Sequence, residues 1–229
     1  MAYQAQSIKA LISRAEGKLS RYQNSNAQSL LMEQRRILQA VDGITSMRNH
    51  PSSLETPAAH TLKLTRAAKK LSEESNKIRE RVNQAYLRYA SELAQAINDR
   101  AGIKQDAYAS EIRALYRSLN DQKKMEMILD AVNNVDASTF SALMLAPKVL
   151  TGISSKLNQD MSKNFYSKAA PDLCQEQNDL QEAMDAIISS ISVADGVVNQ
   201  FSNPDIVKQI EDEIQKAQEA TEKFTAAVA

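Results

Sequence analysis

Tryptophan is absent from this 229-residue chain, and cysteine, phenylalanine, glycine and proline number only one, four, five and five. So few glycines and prolines leave β-hairpins and tight turns without their usual residues, which argues against all-β and doubly wound α/β folds. The lone Cys174 closes no disulfide within the chain, and a reducing compartment is expected. The opening Met1-Ala-Tyr-Gln-Ala-Gln-Ser-Ile-Lys lacks the basic start and apolar core of a secretory signal, and no Asn-x-Ser/Thr acceptor occurs. Charge-free runs such as 137–147 and 186–194 are far shorter than the ~20 apolar residues needed to cross a bilayer. The expected location is the cytoplasm of the producing cell.

Catalytic equipment is equally sparse. The two histidines, His50 and His60, flank the proline-bearing segment 49–57, and neither sits in a Gly-x-Ser-x-Gly context. A di-iron bundle needs Glu-x-x-His pairs, but Met47 and Pro57 stand three residues before the histidines. Glu176, Asp179, Glu182 and Asp185 cluster without the glycine-bearing loop of a calcium hand and read as a solvated acidic face. No phosphate-cradling glycine loop occurs. No catalytic residue, cofactor or metal ligand is assigned, and no enzyme activity is expected.

What is present is charge, unevenly spread, and helical periodicity. Net charge is zero, with 28 cations and 28 carboxylates, yet residues 1–100 hold 16 against 9 while residues 169–229 hold 3 against 12. Such a polarity steers a partner or draws neighbouring copies together, and salt weakens it. Apolar residues repeat at helical spacing through Ile8, Ile12, Ala15, Leu19 and Tyr22, then Leu30, Ile37, Val41 and Ile44, with a split expected at 24–27. The strongest pattern is a heptad seam through Leu64, Ala68, Leu71, Ser75, Ile78, Val82, Ala85, Tyr89 and Leu93, ended by Gly102. A further helix is expected to carry Tyr108, Ile112, Leu115 and Leu119, continuing through Met125, Leu129 and Val132. Asp136 or Ser138 caps a short apolar helix that Pro147 ends, and Ser154 or Ser155 caps the next. Pro171-Asp172 opens a long acidic helix and Asn203-Pro204-Asp205 the last one, striped by Val207, Ile210, Ile214, Ala217, Thr221, Phe224 and Val228.

The expected fold is therefore all-α: an elongated multi-helix bundle of six to eight helices, with coiled-coil-like long helices and a C-terminal helical hairpin. Three regions are drawn: a basic long-helix bundle at 1–135, a short-helix elbow at 136–171 and an acidic hairpin at 172–229. Two interaction sites follow. Lys63, Arg66, Lys70, Lys77, Arg81 and Arg88 form a basic stripe along the seam-bearing helix. It suits the acidic C-terminal helices or, as the rival reading, the phosphates of a nucleic acid. At the elbow, Leu143, Met144, Leu145, Val149, Leu150 and Ile153 read as core or as a partner-binding patch. The seams at 64–96 and 207–228 motivate homo-oligomerisation.

The elbow segment Ser141-Ala-Leu-Met-Leu-Ala-Pro-Lys-Val-Leu-Thr-Gly-Ile-Ser resembles small helical accessory or virion-associated proteins of tailed bacteriophages, in which Ala-Pro-x-x-Leu-Ser/Thr-Gly also follows an apolar helix. The likeness covers residues 142–154. It implies a structural or assembly role in a phage particle or infected bacterium, and transfers no catalytic residue.

Overall fold

A computed structural model describes residues 2–104, 107–202 and 204–228, and among them there are ten α-helices and no strand. In chain order these are α1 (Ala2–Leu19), α2 (Ser25–Asn49), α3 (Pro57–Arg100), α4 (Ala109–Ser118), α5 (Asp121–Asn133), α6 (Ala137–Met144), α7 (Lys148–Thr151), α8 (Ser155–Ala169), α9 (Pro171–Phe201) and α10 (Pro204–Val228). The chain is all-α, as its composition requires. It has more breaks than the six to eight helices expected, and local polar chemistry makes them.

Asn24 divides α1 from α2, its side-chain oxygen accepting from the backbone of Asn26 at 2.7 Å and Ala27 at 3.4 Å. Thr56 accepts from Ala59 N–H at 3.2 Å, with Pro57 in the first helical position, where its missing N–H costs nothing. Gly102, at φ +71°, ends α3 through paired bonds from Gly102 N–H to Asp99 and from Ile103 N–H to Asn98, a reversal that favours a residue without Cβ. The helix expected to run from Tyr108 through Val132 is two helices, because Asn120 accepts from Lys123 N–H at 2.9 Å and starts α5 afresh. That break rotates the pattern: Tyr108 and Leu115 are exposed and Tyr116 is buried instead. Asp136, not Ser138, caps α6, and Ser154 caps α8.

The chain divides into two compact units, residues 1–87 with 181–229, and residues 88–180. The boundaries at 135 and 171 drawn from the sequence are not the boundaries of these units.

In the first unit α1, α2, the leading part of α3 and the trailing part of α9 form a four-helix bundle. Its core holds Ile8, Leu30, Ile37, Ile78 and Ile187, all fully buried. The seam of α3 faces inward here from Ala68 to Ala85, so it is covered by the chain's own helices. Cross-helix bonds fix the register. Gln34 on α2 donates to Ser190 on α9 at 2.8 Å in the dry interior. At the rim Arg79 on α3 reaches Asp195 on α9 at 2.8 Å, Lys18 on α1 reaches Glu182 on α9 at 3.0 Å, and Arg35 on α2 bonds Glu16 on α1.

Ser75 marks the weak point of the seam. It is buried, and its hydroxyl has no hydrogen-bond partner among the described residues. An unpaired buried hydroxyl costs about 1–3 kcal/mol, so Ser75→Ala is expected to raise stability by up to about 1 kcal/mol in urea unfolding. A decrease would show that the hydroxyl is satisfied.

The second unit has its own core, with Tyr116, Ile128, Val132, Phe140, Leu143, Met144, Ile153 and Phe165 drawn from four short helices and the link before α8. Phe140 and Phe165 stack nearly parallel at 3.8 Å between ring centroids, and Tyr166 meets both edge-on. Tyr89, buried on α3, donates its hydroxyl to Glu176 on α9. Val135 turns the chain into α6 at φ +54°, an uncommon conformation for a β-branched residue.

Candidate functional site

The elbow splits the six residues grouped from the sequence. Leu143, Met144 and Ile153 are buried in the second unit's core, whereas Leu145, Val149 and Leu150 point outward with exposures of 57%, 88% and 39%. The single turn of α7, held between Pro147 and the left-handed Gly152, reverses the chain within five residues, which sends alternate parts of one apolar run in opposite directions. Asn158 pins the end of α6 by donating to the Met144 carbonyl at 2.6 Å. Beside the elbow lies a depression of about 550 Å³ with Ile103, Leu145, Pro147 and Leu150 on its walls and Lys104 and Arg113 at its edge.

The basic stripe is also divided. Arg81 is held by two carboxylates, Glu33 at 2.8 Å and Glu74 at 2.9 Å. That guanidinium, hydrogen-bonded to Glu74, holds the Glu74 carboxyl below its ordinary range. Lys63 lies 3.7 Å from Glu55, which also faces His60 Nδ1 at 3.3 Å. Arg66, Lys70 and Lys77 are exposed and hold no ion pair among the described residues, and Arg88 falls in the other unit. The acidic α9 does find cations, but outside the stripe. The Lys18 ammonium, hydrogen-bonded to Glu182, lowers its carboxyl pKa with Arg14 adding to it, and Arg100 meets Asp172 at 3.7 Å. The overall charge polarity signalled these pairings, but only the helix order selects the partners.

Lys63, Arg66 and Lys70 form the rim of a groove of about 500 Å³ between α2 and α3, floored by Met47, Ala59, Leu62 and Ala67. The preceding loop presents Leu54 with 96% of its surface in solvent. This groove was not legible in the sequence, because it needs Met47 of α2 beside Leu62 of α3.

The C-terminal helix departs from expectation most. A hairpin with α9 would bury its stripe, yet every residue from Glu211 to Ala226 is exposed, with Ile214 at 45% and Phe224 at 69%. Ahead of it the last residue of α9 is anchored: Thr65 Oγ1 donates to the Phe201 carbonyl at 3.1 Å, and the Arg48 guanidinium lies over the Phe201 ring at 5.7 Å. The side chain of Val228, counted in the expected stripe, lies outside the described residues.

Residues with reactive chemistry are engaged elsewhere. Burial, with Asp172 nearby, pushes the Cys174 thiol up, away from a nucleophilic thiolate. The acidic run is dispersed among separate partners: Glu176 accepts from Tyr89, Asp179 from Gln175 at 3.2 Å and Asp185 from Gln181 at 3.3 Å. Among the described residues no three His, Cys, Asp or Glu side chains gather as a metal ion requires, and no helix is long and apolar enough to cross a membrane. Compared with known protein families, with curated proteins and with solved structures, the chain matches none.

Proposed function

We propose that this chain is a non-enzymatic interaction or assembly protein whose docking element is the apolar face of α10. One observation carries the reading: a 25-residue helix holds Ile210, Ile214, Ala217 and Phe224 in heptad register and leaves the last three in solvent. An amphipathic helix gains most of its stability by burying that stripe. A helix offered in this way suits helix-in-groove or coiled-coil recognition. The likeness of the elbow at 142–154 to phage accessory proteins supports a setting in a virion or in the cytoplasm of an infected bacterium.

Ile214→Glu with Phe224→Glu in the full chain tests this. Both side chains are exposed, so far-UV circular dichroism and melting are expected to stay unchanged while association, followed by light scattering or against a purified partner, is lost. An association that survives the double substitution overturns the reading.

Nucleic-acid binding through the stripe is the second reading, and the exposed Arg66, Lys70 and Lys77, which hold no ion pair among the described residues, favour it. It requires an affinity that falls steeply with salt and again on Lys70→Glu with Lys77→Glu.

A further inference from the structure

The exposed face of α10 has a defined charge pattern. Glu213 and Glu211 lie about 55° and about 105° from the centre of the stripe on opposite sides, while Lys216, Lys223 and Lys208 lie about 115°, about 135° and about 165° from it at roughly 100° per residue. A receptor for this face needs an apolar floor and a cationic rim. The α2–α3 groove has both, with Leu62 and Met47 below and the exposed Arg66 and Lys70 above, Lys63 being paired with Glu55. Its one carboxylate, Glu55, is already engaged by His60 and Lys63.

Two other depressions fit less well. The one between α3 and α9, about 460 Å³, is apolar, but its Arg79 is spent on Asp195. The depression at the elbow is walled by loop ends and short helices, whereas α3 from Ala59 to Lys70 offers a straight run of about 17 Å for another helix to follow.

The anchor ahead of α10 decides whose helix fills the groove. Phe201 is held beside Thr65, midway along the run from Ala59 to Lys70. α10 begins three residues after Phe201, its stripe from Ile210 to Phe224 is about 21 Å long against a run of about 17 Å, and within its own chain that face stays exposed from Glu211 to Ala226. A helix from another molecule is not tied to that anchor.

Building on α10 as the docking element, we infer that α10 of one copy lies in the α2–α3 groove of a second copy, with Glu211 and Glu213 meeting Arg66 and Lys70. Exchange in both directions gives a two-fold dimer with two identical contacts. Charge complementarity sets the register and salt loosens it.

The test uses full-length chains in light scattering over a concentration series. Arg66→Glu with Lys70→Glu, and separately Glu211→Lys with Glu213→Lys, are each expected to weaken dimerisation about tenfold or more. Mixing the two variants restores it, because the hetero-pair carries one native contact and one with both charges reversed. Circular dichroism of each variant checks that the exposed substitutions leave the fold intact. A full-length chain that is monomeric at every concentration, or variants that never rescue each other, overturns the inference. Loss of dimer on Ile214→Glu with Phe224→Glu but not on groove reversal keeps α10 as the docking element and overturns the groove. Loss on Lys104→Glu with Arg113→Glu instead moves the receptor to the elbow and overturns it too.

Discussion

Phe165→Ala is expected to cost about 3–5 kcal/mol and to lower the melting temperature by on the order of 10 °C. The residue is fully buried in the second unit, and its ring lies flat on Phe140 with Tyr166 against the edges of both. Truncation removes the largest apolar surface that α8 places in that core and leaves a cavity between α6 and α8. The surrounding elements are short and pinned at both ends by Asp136, Ser154 and Asn158, which limits collapse into the space. Phe165→Leu keeps most of the burial and loses the ring contacts, for roughly 1–2 kcal/mol. Urea unfolding of the two variants checks the ratio. Equal costs would show that the ring contacts, not the buried volume that leucine keeps, hold this core.

The second large effect is a contrast between two residues with the same sequence signature. Ile78 and Ile214 each occupy a heptad position on a long helix, Ile78 between Lys77 and Arg79 and Ile214 between Glu213 and Gln215. Ile78→Ala is expected to cost about 2–5 kcal/mol, because the side chain is almost wholly buried among the helices of the first unit. Ile214→Ala, at 45% exposure on a helix with no covering neighbour among the described residues, is expected to change stability by less than about 0.5 kcal/mol. Denaturant unfolding at low protein concentration separates them. A large loss at Ile214 would mean that its face is covered within the chain and would remove the basis for a docking helix. Repeating the measurement at high concentration adds the association energy to the native state, so a cost at Ile214 that appears only there marks the face as an intermolecular contact.

These pairs also show why sequence reading stopped where it did. Asn24, Asp136, Ser154, Gly102 and the prolines act on their own few residues, and most helix ends follow from them. Asn120 is just as local, yet apolar residues on both sides of it read as one continuous helix, on which Tyr116 lies off the apolar face that it joins in the structure. The stacked phenylalanines lie 25 residues apart on helices of different register, and no periodicity connects them. The groove between α2 and α3 likewise depends on two helices meeting at a particular height.

By itself, then, the sequence determined the all-α class, most helix boundaries, the apolar stripes and the division of charge, because capping, glycine and proline chemistry and the 3.6-residue period operate within one or two turns. Tertiary structure alone decided which stripes are used internally. The heptad seams of α3 and α10 are written in the same alphabet, but α3 lies among neighbours that cover it while α10 extends past the last anchor at Phe201. A stripe records that a helix has a face to bury, and only the arrangement of the other helices determines whether the partner is its own chain or another molecule.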